Sequence, residues 1–250
     1  MTREQSYQIA FDKQSEVLRY KKAAFDAAIE NLKNNKQLGW QFVSAEEAEK
    51  NNDELICILL SSKISGTFQS ATLAKSIVDY DKIHLIDSLC ATHGIRLLAE
   101  HAQNLVKEGK TAEEIVAELE VLKTKIKILA VVDTLEYLCK GGRLSRTAAA
   151  IGEMARVKPM ITVSEGEVAV IGKSMGKNKA ISSLLKAFEE CEVDERFPIY
   201  SVSTLGTENC EAFEARLVAA GYQFEERVQI GATIGTHVGP GVFGMIFVQK

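Results

Sequence analysis

LICILLSSKISGT, Leu55–Thr67, sets six consecutive aliphatic or thiol-bearing residues against a loop of small polar ones. The apolar run is short and continuous, which predicts a strand buried on both faces. Three serines and a glycine then lead into an expected helix from about Thr67 to Tyr80. Backbone N–H groups at a helix start lack intrahelical partners and carry partial positive charge, so such a loop suits a carboxylate or phosphate. The same residues also make an ordinary turn, with Ser65-Gly66 as its corner and Thr67 as helix cap. Local features leave both readings open.

Working outward, a strand is expected at Ile83–Asp87, followed by a helix from Thr92 to Glu108 with Ile95, Leu98, Ala102 and Leu105 on one face. Thr111–Glu114, TAEE, has capping-box spacing and opens another helix; Ile126–Asp133 then reads as a strand. Upstream, Phe25, Ile29 and Leu32 share a stripe, which predicts a helix over Ala23–Lys33, and SAEE at Ser44–Glu47 starts a short one. Strands alternating with helices imply a mostly parallel sheet, with ligands gathered beyond the carboxyl ends of its strands. Ser61–Gly66 and Asp87-Ser88 lie at such ends.

The pattern changes after Pro159. MITVSEGEVAVIGK, Met160–Lys173, reads as a hairpin turning at Glu165-Gly166. A helix from Asn178, a strand at IYSVST, a helix from Thr207, the strand FEERVQI, a glycine-rich loop GATIGTHVGPG and a last strand VFGMIFV complete the chain. The expected fold class is α/β, with a mostly parallel sheet domain over 1–155 and a smaller α+β domain over 156–250.

Composition narrows the function. The 250 residues are 46% hydrophobic and 26% charged, with a formal net charge of −4, so no global basic field recruits nucleic acid or anionic lipid. No apolar run approaches the roughly 18 residues of a membrane-spanning helix, and the first residues lack the apolar core of a signal peptide. Five scattered cysteines without a CxxC pair fit a reducing cytoplasm. No phosphate loop, dinucleotide fingerprint, HExxH or GxSxG is present. His93 and His101 share a helix face about 12 Å apart, too far for one metal. Neither a metal site nor a catalytic residue is expected.

Two further segments carry chemistry. In LEYLCKGGRLS, Leu135–Ser145, a short helix stops at a glycine pair and Arg143 follows; this is either a helix stop with a surface arginine or a close backbone approach beside a fixed charge. In GTHVGPG, Gly235–Gly241, His237 sits on a constrained loop from which an imidazole can donate to an anion. From the residues alone, an anion-binding protein and an enzyme using Ser65, Arg143 and His237 on a small phosphorylated or carboxylated substrate both stand.

LSSKISGTFQSA (Leu60–Ala71), IDS (Ile86–Ser88), VVDTLEYLCKGGRLS (Val131–Ser145), VKPMITVSEGEV (Val157–Val168) and GTHVGPGVFG (Gly235–Gly244) follow one another in an order and spacing that resemble the DegV family of bacterial fatty-acid-binding proteins. The resemblance implies a Rossmann-like domain and a smaller domain enclosing a long acyl chain in a tunnel between them, with the fatty acid as the ligand and no other cofactor. It implies a carboxylate held by Ser62, Ser65, Gly66, Thr67 and His237, with Arg143 and Lys173 close to it or facing a partner. It further implies a separate ATP-dependent fatty acid kinase, to which the carboxylate is presented for acyl-phosphate formation. Family members also open with a strand and an Asp-Ser-Thr stretch, and carry a Thr-Ser-Gln-Pro segment whose threonine meets the carboxylate. Residues 1–52 contain neither, so the N-terminus is read as truncated or divergent. The GKSMGKNKA segment (Gly172–Ala180) has Met175 where an arginine is usual, with Lys173, Lys177 and Lys179 keeping it basic.

Overall fold

Residues 45–145 and 156–250 are described by the structure, a computed structural model. The helix expected over 23–33, the residues 39–44 and the first half of the expected domain boundary, 152–155 of 152–159, lie outside the described residues. The chain divides into two compact units, Met1–Asp53 and Glu54–Lys250. In the first, helix α1 spans Ala45–Asn51. Asn52 takes a left-handed φ of 59° just beyond it, and the Asp53 N–H bonds the Ala48 carbonyl, the closing pattern of a helix C-terminus.

In the second unit, β1 (Leu55–Leu59) pairs in parallel with β2 (Ile83–Asp87), and α2 (Thr67–Ile77) connects them. Every residue of β1 keeps partial solvent access, short of the two-sided burial that its composition predicts; among the described residues β2 is its sole partner strand. Helices α3 (His93–Lys107) and α4 (Ala112–Leu122) follow. The capping box at α4 is realised: the Glu114 N–H donates to Thr111 Oγ1 at 3.3 Å while the Thr111 N–H donates to the Glu114 carboxylate at 2.9 Å.

The remaining strands form one six-stranded sheet. They are β3 (Ile126–Val131), β4 (Val157–Ser164), β5 (Glu167–Met175), β6 (Tyr200–Ser203), β7 (Glu226–Gln229) and β8 (Phe243–Val248), in the order β5-β4-β3-β8-β6-β7. Between β3 and β4 lies the short helix α5 (Glu136–Lys140). Helix α6 (Lys177–Glu189) follows β5, α7 (Glu208–Ala219) follows β6, and α8 (Ala232–Val238) precedes β8. Parallel pairing occurs at β1·β2 and β6·β7, and the other sheet contacts are antiparallel. The chain is thus a mixed α/β protein. Strand β3, expected beside β1 and β2, instead lies between β4 and β8, because hydrophobic alternation marks a strand without naming its partner. The hairpin is as expected, with Glu165 and Gly166 at φ 50° and 85°, both in the left-handed region that a two-residue turn requires.

The period of two divides this sheet into faces. Leu129, Val131, Met245 and Phe247 pack on Leu184 and Phe188 of α6 and Phe213 and Leu217 of α7. Ile128, Ala130, Val202 and Ile246 turn the other way, into a cluster with Leu97 and Leu98 of α3 and Leu119 of α4. GATIGTHVGPG, expected as a loop, contains α8. A single internal glycine, Gly235, is tolerated because its N–H bonds the Gly231 carbonyl, and Gly239 at φ 82° ends the helix. Among the described residues, no helix is long and apolar enough to cross a membrane.

Candidate functional site

On that second face lies a mainly apolar pocket with about 830 Å³ of unfilled space, part of it open to solvent. Ile128, Ala130, Ile161 and Val202 come from the sheet, Leu60 and Ile64 from the serine loop, and Ile234 and Val238 from α8. Its polar lining includes Ser65, Arg143 and His237, brought from three distant segments of the chain. An outer cleft, lined by Ser62, Lys63, Gly66, Gln69 and Gly142, shares Ile64, Ser65 and Arg143 with the pocket. Those three residues therefore mark the passage from open cleft to apolar interior. Among the described residues no acidic side chain lines either space, whereas Lys63 and Arg143 supply positive charge, so the junction favours an anion.

The serine loop is held from several directions. Ser61 is fully buried; its hydroxyl donates to the Gly166 carbonyl at 2.7 Å and its N–H to the Cys90 carbonyl at 3.0 Å. The Ser62 N–H donates to Asp87 Oδ1 at 3.1 Å, the Lys63 N–H to Ser61 Oγ, and those of Ile64 and Ser65 to the Ser61 carbonyl. The main-chain donors of residues 61–65 are thus spent inside the fold, which leaves the first turn of α2 and the side chains to meet an anion. The Ser65 hydroxyl is half-buried, accepts the Thr67 N–H at 3.2 Å and shares a hydrogen bond with Thr67 Oγ1 at 2.8 Å. Thr67 does not cap α2, where Gly66 occupies the cap position without a side-chain bond. Gly66 and Thr67 are exposed.

Arg143 is half-buried and donates through Nε to the Ile64 carbonyl at 2.9 Å and through Nη1 to the Gly141 carbonyl at 2.5 Å. The glycine pair has two different tasks. Gly142 takes φ 72°, which turns the chain after α5. A Cβ on Gly141 would lie 2.2 Å from His237 Nδ1, so the missing side chain is the room in which the imidazole sits. His237 Nδ1 is buried and has no hydrogen-bond partner among the described residues, which leaves it available to a bound group. Tyr137 and Gly239 repeat the arrangement: a Cβ on Gly239 would lie 2.5 Å from the Tyr137 ring.

Of the expected site residues, Ser65, Arg143 and His237 come together at the pocket, and Ser62 and Gly66 line the adjoining cleft. Thr67 joins them only through Ser65. Lys173 is exposed on β5 and lines neither space. Thr92, next to α3, was not expected: it lines the pocket at φ 52°, rare for a β-branched residue. No sequence signal marks it, since a threonine before a helix ordinarily reads as a cap. Among the described residues, no group of three or more His, Cys, Asp or Glu is placed to hold a metal.

The profile of the DegV family, described as uncharacterised proteins, matches residues 40–250. The chain belongs to the DegV family. A DegV domain-containing protein of Caldanaerobacter subterraneus is 37% identical over 209 residues, covering 82% of this chain and 74% of its own. The fatty-acid-binding DegV protein of Thermus thermophilus has a similar structure, with a TM-score of 0.71 and 30% identity across 82% of this chain and 74% of that one. A fatty-acid-binding DegV protein of Streptococcus agalactiae gives the same TM-score at 25% identity, over 82% and 73% of the two chains. Structural neighbours in the DegV family thus bind fatty acids.

Proposed function

We propose that this DegV protein binds a long-chain fatty acid, with its tail in the apolar pocket and its carboxylate among Ser65, Arg143 and His237. One observation carries the reading: three polar residues from separate segments converge on an otherwise mainly aliphatic pocket, where it opens into a cleft that has no acidic group among the described residues. A chain of about 16 carbons contributes on the order of 10 kcal/mol before the costs of binding, at about 0.8 kcal/mol per methylene. The tail therefore supplies most of the affinity and the polar residues set where the head group points. Ser62, Gly66 and Thr67 shape the loop around that head group.

The protein acts as a carrier. It presents the carboxylate through the outer cleft to a separate ATP-dependent kinase, which forms the acyl phosphate; Lys173 belongs to the partner-facing surface. The five unpaired cysteines support a reducing compartment, the cytoplasm. The division into domains at about residue 155 belongs to the same proposal.

Native mass spectrometry of the purified protein, with solvent extraction and identification of what it holds, tests the reading. A co-purifying or exchangeable fatty acid is expected; its absence after loading with palmitic acid overturns it. Conversion of that acid by the protein with ATP alone overturns the carrier role.

A further inference from the structure

We infer, resting on the fatty-acid reading above, that Lys63 is a self-modification site: a long-chain acyl phosphate seated in the pocket transfers its acyl group to the Lys63 amine. The pocket and the outer cleft meet at Ile64, Ser65 and Arg143. A carboxyl carbon held at that junction faces few groups able to attack it. Among the described residues that line the two spaces, Lys63 is the one primary amine. Arg143 is cationic, but a guanidinium keeps its protons and is no nucleophile, and two of its nitrogens already serve the Ile64 and Gly141 carbonyls. A serine hydroxyl attacks when a neighbouring base takes its proton, and that of Ser65 shares its hydrogen bond with Thr67 instead.

Lys63 lies two residues before Ser65 on the same loop and is exposed. Its root is fixed. The Lys63 N–H donates to Ser61 Oγ at 3.3 Å, and a Cβ on Gly166 would come within 3.2 Å of Lys63 Cγ, so the stem starts out against the hairpin turn. Its far end is free: among the described residues no carboxylate pairs with it, whereas Lys140 and Lys158 hold Glu136 and Asp133. A flexible four-carbon stem rooted beside the cleft carries that amine across the mouth of the pocket.

The buried tail supplies the selectivity. It makes attack effectively intramolecular, so Lys63 meets the acyl carbon at a local concentration that no distant lysine shares. The ammonium first gives a proton to water. The amine nitrogen then bonds to the carbonyl carbon, and the bond from that carbon to the bridging oxygen breaks. Phosphate leaves with the electron pair and takes up the second nitrogen proton. The product amide is neutral, so the reaction removes the charge that Lys63 brings to the junction and leaves the pocket filled by a chain that no longer exchanges.

The test incubates the purified full chain with synthetic palmitoyl phosphate or, in parallel, acetyl phosphate, and maps adducts by intact-mass and peptide mass spectrometry. Palmitoyl phosphate is expected to modify Lys63 at least about tenfold faster than Lys140 or Lys186, whose side chains are 75% and 77% exposed. Acetyl phosphate has no tail to seat and is expected to show no such preference. Excess palmitic acid should suppress the Lys63 adduct, hydroxylamine should leave it intact as an amide requires, and Lys63→Arg should abolish it. Palmitoyl adducts spread over lysines according to exposure overturn the inference, as do an equal Lys63 preference with acetyl phosphate and a hydroxylamine-labile adduct on serine or histidine in place of the amide. Should Lys63→Arg fail to fold, the map on wild type decides the matter. Wild type that binds no palmitic acid in native mass spectrometry overturns the fatty-acid reading itself, whereas binding without a Lys63 adduct overturns the acylation alone.

Discussion

The Arg143 guanidinium donates to the carbonyl oxygens of both Ile64 and Gly141, at 2.9 and 2.5 Å, and so ties the serine loop to the glycine turn across 79 residues of sequence. The arginine is a brace as well as a charge. Both bonds come from one planar fork in fixed relation, a geometry that lysine lacks.

Arg143→Lys keeps the charge and removes the brace. The variant is expected to lose about 1–2 kcal/mol of stability, one ordinary hydrogen bond or two, and to bind fatty acid about threefold to tenfold more weakly. Urea denaturation and calorimetric titration check this. Ser65→Ala is expected to weaken head-group placement while costing under about 1 kcal/mol of stability, since its hydroxyl only accepts the Thr67 N–H and shares a bond with the Thr67 hydroxyl. Equal stability losses in the two variants contradict this division.

Gly141→Ala tests the seat of His237. Gly141 has φ −75°, so alanine is allowed there and any effect comes from the added methyl pressing on the imidazole. Overpacking of this kind costs typically about 1–3 kcal/mol. Affinity for palmitic acid is expected to fall more than affinity for its methyl ester, because the ester lacks the anionic oxygen that His237 meets. A parallel loss for acid and ester argues against an imidazole at the head group.

Ser61 and Gly166 form a pair suited to a double-mutant cycle. Ser61→Ala removes a buried hydrogen bond and is expected to cost about 1–3 kcal/mol. Gly166→Ala places a Cβ 2.5 Å from Ser61 Oγ and forces a side chain onto φ 85°, a backbone strain of about 1–2 kcal/mol before the clash. In the double variant the clashing oxygen is gone, so the combined loss is expected to be smaller than the sum. Strict additivity in denaturant midpoints rules out the contact.

The acid limb of stability should carry a contribution from Asp194. The Arg196 side chain hydrogen-bonds this buried carboxylate and holds its pKa at about 2, below the usual 3.8. A depressed carboxylate stabilises the fold above its unfolded pKa and loses that contribution as pH falls towards the folded one. Wild type should therefore lose stability between about pH 4 and 2 more steeply than Asp194→Asn, measured by melting temperature across that window. Parallel curves exclude the contribution.

Signals that act within a few residues were legible in the sequence. The capping box at Thr111, the two-residue turn at Glu165-Gly166 and the amphipathic face of α3 are of that kind. The serine loop, Arg143 and His237 were legible as motifs, but their meeting was not: it depends on the missing Cβ of Gly141, which no spacing rule reports. The N–H groups of Ser61 and Ser62 are taken by partners as distant as Cys90 and Asp87, which no local pattern reports. Strand β3 was recognised as a strand and its neighbours were not, since an apolar run marks burial without naming the strand beside it. Helix α8 was hidden by its glycines.

The strand order also governs when the protein becomes whole. The last strand of the chain, β8, lies between β3 and β6, near the middle of the six-stranded sheet. Strands β3, β4 and β5 can pair with one another, and β6 with β7, yet the two groups stay unjoined until β8 is in place. Until then β3 and β6 present open edges, the condition in which nascent chains associate wrongly. His237, on α8, immediately precedes that strand. A substitution that keeps β8 from pairing should therefore yield aggregates rather than a loosened but competent protein.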